Sequence, residues 1–313
     1  MLIQYSDIKM GADRLAMIEK ANEIIGEYDA DGYTLTLRQL YYQFVSRDLI
    51  PNSERSYKNL GTLIADGRMA GLISWLAIED RGRGVRGWVI NEDESEVLNG
   101  IEANFAMDFW APQETHVEIW VEKEALVDVI RRPAERYRVD YMACKGYLSA
   151  SEAWRAGRRF RQASREGKRL VLIHLGDHDP SGIDMTRDNG DRINLFGGGL
   201  DVEVRRIALN MNQVEEYAPP PNPAKMSDSR AEDYVSKFGH TSWELDALNP
   251  RILDKLISDE VDTLIDLDVW RATQKEERER RKILAEMHER FDDIRDFLNE
   301  TRDTIGDGVW DEN

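Results

Sequence analysis

Four short apolar runs, VEIWV (117–121), DYMAC (140–144), LVLIHL (170–175) and VEVRRI (202–207), recur through the middle of the chain with helical stretches between them. Strands this far apart are not hairpin partners. Each connection has room for a crossover helix, so the spacing predicts parallel strands in an α/β layer. Open parallel sheets place their sites at the carboxyl ends of the strands, so the residues just past each run are the first candidates for chemistry.

After the third run the sequence reads LIHLGDHDPSG (172–182). Side chains alternate along a strand, so Asp177 and Asp179 point to one side with backbones about 6.6 Å apart. An all-oxygen donor set of this kind is what Mg²⁺ selects. A solvated Asp-rich turn is the plainer reading of DxD by itself. The first run leads straight into Glu122, Lys123 and Glu124. Glu122 offers a third carboxylate or a general acid/base, although acidic residues are also common where a helix begins. Set in one sheet, Glu122, Asp177 and Asp179 become a candidate metal site. His174 and His178 flank it, but without cysteine partners or HExxH spacing they do not predict zinc. Gly197-Gly198-Gly199 lacks the strand-then-helix context of a nucleotide loop and reads as a turn; no Walker motif is present.

Upstream, Leu15, Ile18, Ala21, Asn22 and Ile25 are spaced as one helix face over residues 11–28. Thr36 and Gln39 form a capping box for a helix reaching about Asp48, and Ser53 caps another reaching about Met69. LISWLAI (72–78) and the glycine-rich RGRGVRGWVI (81–90) read as a hairpin. Helix, turn, helix, hairpin is the plan of a winged helix-turn-helix. On the helix after Thr36, the positions Leu37, Leu40, Tyr41, Phe44 and Val45 make a core stripe, so the ring of Tyr41 is expected inside. Tyr42 lies about 100° further round, one turn from Arg38, whose guanidinium could stabilise a phosphate or a phenolate.

The net charge of −18 is unusual for a protein on nucleic acid, yet it is unevenly spread. Residues 254–313 hold ten basic and nineteen acidic groups, whereas 36–90 hold eight and five, and 141–170 hold eight and two. Lys58, Arg68, Arg81, Arg83 and Arg86 are therefore candidate backbone contacts. Arg155, Arg158, Arg159, Arg161 and Arg165 fit a solvated helix face better. Beyond Trp270, Ile283, Leu284, Met287, Phe291, Ile294, Phe297 and Leu298 form one stripe on a long charged helix. A single cysteine, Cys144, rules out an intrachain disulfide and a zinc finger. No run approaches the roughly 18–20 apolar residues of a membrane helix, and no signal-peptide plan opens the chain, so a cytoplasmic, nucleoid-associated protein is expected.

VEKEAL (121–126), CKGYLSA (144–150) and GDHDPSG (176–182) resemble, in order, the Toprim motifs of the topoisomerase VI A subunit and the meiotic double-strand-break transesterase. IALNMNQVEEY (207–217), SDSRAEDY (227–234) and ELDAL (244–248) continue the resemblance, and TLRQLYYQF (36–44) is similar to the family's catalytic helix. It spans residues 33–256 and is nearest to small bacterial and phage Toprim proteins of this type; the acidic C-terminal helix has no counterpart. It implies an α/β chain with a winged-helix domain (1–95), a linker (96–112), a Toprim metal-binding domain (113–240) and C-terminal helices (241–313). It further implies an isomerase-class transesterase acting on double-stranded DNA, with Tyr42 as nucleophile beside Arg38. Mg²⁺ would lie on Glu122, Asp177 and Asp179, and Lys123 and Lys145 at phosphate. A 5′ linkage, a homodimer in which one subunit's tyrosine meets the other's metal site, and an ATPase B-type subunit belong to the same implication. A Toprim endonuclease using metal-activated water, and a non-catalytic DNA-binding or assembly subunit, stay open as alternatives.

Overall fold

All four apolar runs become strands: β1 (Thr115–Val121), β2 (Asp140–Ala143), β3 (Arg169–Leu175) and β4 (Val202–Ala208). They pair in parallel in the order β2-β1-β3-β4. In this computed structural model, which describes residues 2–79, 96–97, 100–101 and 104–305, the chain divides into two units. The first comprises Met1–Gly84 with Glu114–Leu264, the second Val85–Gln113 with Ile265–Asn313.

Within the first unit β1 and β3 are buried at residues of both parities, as parallel strands covered on both faces must be. The first three helices are α1 (Ala12–Asp29), α2 (Leu37–Ser46) and α3 (Glu54–Met69); the crossovers are α4 (Val127–Arg136), α5 (Ala150–Arg165) and α6 (Pro180–Gly197). The inner side of α5 is Ala153, Ala156, Gly157, Phe160 and Ala163, packed with Trp120, Leu170, Leu172 and Ile193. A Cβ on Gly157 would lie 2.7 Å from Phe196 Cβ and 2.8 Å from Gly197 N, so α5 and α6 meet backbone to backbone.

Within β1, Glu118 is a charge inside an apolar run. It is buried and accepts from Arg159 Nε and Nη2, both at 2.8 Å, and from Trp120 Nε1 at 2.9 Å. Arg159 is therefore not one of a solvated row. Although burial works the other way, these donors hold the Glu118 carboxyl down at about 2. Its contribution to stability is complete above the ordinary carboxylate range and is lost as pH falls from there toward about 2. Arg159→Ala strands the buried charge and is expected to cost about 3 kcal/mol or more. Chemical denaturation at pH 7 and pH 3 checks both statements: the variant's deficit shrinks in acid.

At the N-terminus the capping box at Thr36 and the Ser53 cap form as expected. Two expectations are corrected. Residues 72–78 form no strand: Leu72 N and Ile73 N both turn back to Gly67 O, and Ile78 touches Leu35 through a single parallel bridge. The second half of the expected hairpin, with Arg81, Arg83 and Arg86, lies outside the described residues. The burial on α2 is also wider than one stripe, running from Gln39 through Phe44 and including Tyr42. The cause is a short 3-10 turn, Leu245–Ala247, which packs on the same helix and sends Ala247 into its core.

That turn is delivered by the last part of the unit: α7 (Met211–Tyr217), an antiparallel pair β5 (Pro221–Pro223) and β6 (Thr241–Trp243), α8 (Ala231–Phe238) between them, and α9 (Pro250–Asp262). The second unit contains α10 (Leu267–Glu289) and α11 (Phe291–Ile305), two helices broken at Arg290 rather than one. Trp270 stacks edge-on against Phe109 and Trp110, and Glu277 accepts from Met107 N. Ile283, Met287, Phe297 and Leu298 of the expected stripe are exposed. No helix among the described residues is long and apolar enough to cross a membrane.

Candidate functional site

The carboxyl ends of β1 and β3 are fastened together by the side chains singled out in the sequence. Glu122 N continues the ladder to Leu175 O, and Asp177 N donates to Glu122 Oε2 at 2.8 Å. Asp179 caps α6, accepting from Gly182 N at 2.6 Å and Ser181 Oγ at 2.9 Å, with Pro180 in the first turn. Gly182 is obligatory in this turn, since a Cβ would come within 2.2 Å of Asp177 O. Glu122, Asp177 and Asp179 are all buried.

Two further carboxylates arrive from distant sequence. His178 and Trp243 exchange both backbone hydrogen bonds, at 2.9 and 3.0 Å, which clips the end of β6 to the β3 loop. Just beyond Trp243, Glu244 and Asp246 then face the site, and Leu245 N donates to Asp177 Oδ1 at 2.8 Å. The Lys123 ammonium lies among them, 2.9 Å from Asp177 Oδ2 and 3.1 Å from Asp246 Oδ1, and in contact with Glu244. The same two carboxylates hold Arg38, with Nη2 2.7 Å from Glu244 Oε2, the oxygen that Lys123 also contacts, and Nε 2.9 Å from Asp246 Oδ2, the oxygen opposite the lysine. Arg38 Nη2 also donates to the Tyr42 hydroxyl at 3.3 Å. One chain of contacts thus runs Tyr42, Arg38, Glu244 and Asp246, Lys123, Asp177, Glu122.

Beneath it lies Arg206, a residue the sequence did not single out. Its guanidinium donates to Gly182 O, Thr186 Oγ1, Gly176 O, Asp177 O and Leu209 O at 2.6–3.2 Å, tying the β3 loop, the start of α6 and the end of β4. Burial pulls its pKa down to about 10 while Glu122, Asp177 and Asp179 push the other way. Among the described residues five carboxylates here face three cations, Lys123, Arg38 and Arg206. Burial, together with that surplus of negative charge, raises both the Glu122 and Asp177 carboxyls, that of Asp177 to about 8. The two members of the Lys123–Asp177 pair pull in opposite senses, since Lys123 is held protonated by its three carboxylates. Burial drops His174 to about 3 and His178 to about 4, so both are neutral neighbours.

Tyr42 is 4% exposed, and its phenol is pushed up to about 12, chiefly by burial, with Asp246 and Glu244 adding and Arg38 opposing. It does not lie on an open helix face. Tyr41 uses its oxygen as well as its ring: the hydroxyl accepts from Ser53 N and reaches Asn52 Oδ1, both at 2.8 Å. Of the expected DNA contacts, Lys123 is spent on carboxylates and Arg68 turns in to the carbonyls of Trp75 and Ile78. Lys58 and Lys145 are exposed, each beside a glutamate, Glu54 and Glu124.

Among the described residues no group of three or more His, Cys, Asp or Glu is arranged to hold a metal ion. The donor chemistry nonetheless suits a hard cation. Among the described donors, each of Glu122 and Asp179 engages only one carboxylate oxygen, leaving the other to ligate. No family model, no curated protein and no solved structure matches this chain.

Proposed function

We propose that this chain cleaves DNA by tyrosine transesterification, with Tyr42 as nucleophile and the acidic strand ends as the site that receives the scissile phosphate. Arg38 carries this reading: a single guanidinium joins the Tyr42 hydroxyl to carboxylates that share a lysine with Asp177. On this reading α2 and α3 belong to a winged helix-turn-helix and the sheet to a Toprim-type domain. Within one chain Tyr42 is linked to the acidic strand ends through Arg38, Glu244, Asp246 and Lys123, and a homodimer in which one copy's tyrosine meets the other's acidic site, as well as an ATPase B-type subunit, is compatible with this reading.

The Tyr42 oxygen gives up its proton to solvent water and attacks phosphorus, the bond from phosphorus to the 3′ oxygen breaks, and a 5′-phosphotyrosyl ester forms. Arg38 stabilises the developing phenolate and the phosphate. Glu122, whose carboxyl is raised above its ordinary range by burial, is the group placed to give a proton to the leaving 3′ oxygen. Mg²⁺ held by Glu122, Asp177 and Asp179 would offset phosphate charge. Tyr42 is covered while Arg38 is held by Glu244 and Asp246, so that contact opens before attack.

The burial of Tyr42 and its high pKa favour one competing reading, hydrolysis by metal-activated water with the tyrosine merely structural. Supercoiled plasmid incubated with the protein and Mg²⁺, stopped with detergent and split with and without protease, separates them. Linear DNA seen only after protease is the expected result; linear DNA without protease establishes hydrolysis.

A further inference from the structure

The outer side of α5 carries Trp154, Arg158, Arg161 and Arg165, spaced four, three and four residues apart, which is one stripe of a helix. All four are exposed, Trp154 to 48%, and the Arg158 guanidinium is 5.2 Å from the Trp154 ring centroid. In so acidic a chain exposed cations commonly find a carboxylate, as in Arg187–Asp184, Lys237–Asp233 and Lys255–Asp259. Even Arg155, one position off the stripe, is paired with Glu152. Among the described residues Arg158, Arg161 and Arg165 have no carboxylate partner. Three adjacent guanidinium groups left unneutralised on a protein of net charge −18 form a local anion-binding strip.

We infer that this stripe is a docking surface for a nucleic-acid backbone. It rests on the DNA reading above and adds where the duplex lies. The crossover topology starts α5 at the carboxyl edge of the sheet, the edge of Glu122 and Asp177, and carries it toward the opposite edge. Arg158 to Arg165 spans about 10 Å of helix axis. One strand of duplex carries roughly three phosphates in that length, matching three guanidinium groups. The stacking of Arg158 on Trp154 restrains its guanidinium before binding, so less freedom is lost on contact.

The test is the salt dependence of binding to a short fluorescein-labelled duplex in EDTA, where metal-dependent cleavage is absent. One variant combines Arg158→Gln, Arg161→Gln and Arg165→Gln. A control with the same charge change combines Arg187→Gln, Lys237→Gln and Lys255→Gln. The stripe variant is expected to shallow the slope of log K against log salt by about two to three units and to weaken binding on the order of 10²-fold near 0.1 M salt. The control is expected to keep the wild-type slope. An unchanged slope in the stripe variant, or equal weakening by both variants, overturns the inference and leaves the DNA reading standing. A wild-type protein that binds no duplex even at low salt overturns both. Should the triple variant lose its fold, Arg161→Gln with Arg165→Gln leaves the Trp154 contact intact and is still expected to remove about two units of slope.

Discussion

Tyr42→Phe is expected to abolish the protein–DNA adduct completely while leaving the fold and DNA affinity near wild type. The ring keeps its place in the α2 core, and the lost hydroxyl makes one contact, with Arg38 at 3.3 Å. Tyr41→Phe is expected to behave in the opposite way. Its hydroxyl holds the Ser53 N–H and Asn52, so its removal costs about 1–2 kcal/mol of stability but spares the adduct. Arg38→Ala is expected to slow adduct formation by about 10²- to 10³-fold, the scale for one charge-stabilising donor. Adduct yield on denaturing gels and thermal melts of the same preparations read both properties. A Tyr42→Phe protein that cuts at the wild-type rate assigns the reaction to water.

Arg206→Met is expected to be the most damaging substitution for stability, costing about 3–5 kcal/mol. It removes the cation beneath Glu122, Asp177 and Asp179 and takes a donor from five acceptors, of which Gly176 O keeps Leu209 N and Thr186 Oγ1 keeps His174. The sign of its pH dependence comes from the raised carboxyls. Between the ordinary carboxylate range and their raised folded values, Glu122 and Asp177 hold a proton in the folded chain that the unfolded chain has released. Stability therefore falls as pH rises through that window. Without Arg206 the folded values rise further, so the deficit grows only as pH passes the wild-type folded values, about 8 for Asp177, whereas that of Arg159→Ala shrinks in acid. Denaturant unfolding across that range tests this; a loss below about 1 kcal/mol would show that the guanidinium contributes little. Arg206→Lys, which keeps the charge without the fork, is expected to recover only part.

β1 and β3 were legible because burial on both faces demands apolar residues at nearly every position, and the helix starts because Thr36, Ser53 and Asp179 are capping types in the right places. The adjacency of Glu122 and Asp177 came from two neighbouring strand ends. Glu244 and Asp246 lay within a recognised motif, yet no local pattern tells that the His178–Trp243 bridge brings them more than sixty residues back to Asp177. Arg206 hid in a strand whose pattern Val-Glu-Val-Arg-Arg reads as half-exposed. Glu118 offered a usable signal, because a carboxylate inside a wholly buried parallel strand requires a cation to reach it. The cover over Tyr42 was beyond helical periodicity, since it comes from residues 245–247 and not from α2.

The second unit is built from two stretches separated by the whole sheet, yet their inner ends are already clasped. Gln113 Nε2 donates to Asp266 O at 3.1 Å and its Oε1 accepts from Asp266 N at 2.9 Å. The chain leaves this unit and comes back to it at almost one point. The intervening 152 residues, 114–265, thus form an insertion whose removal asks for only a short splice from Gln113 to Asp266. A miniature protein joined there would bring Phe109 and Trp110 back against Trp270 in a single uninterrupted sequence, with helix α10 as its backbone.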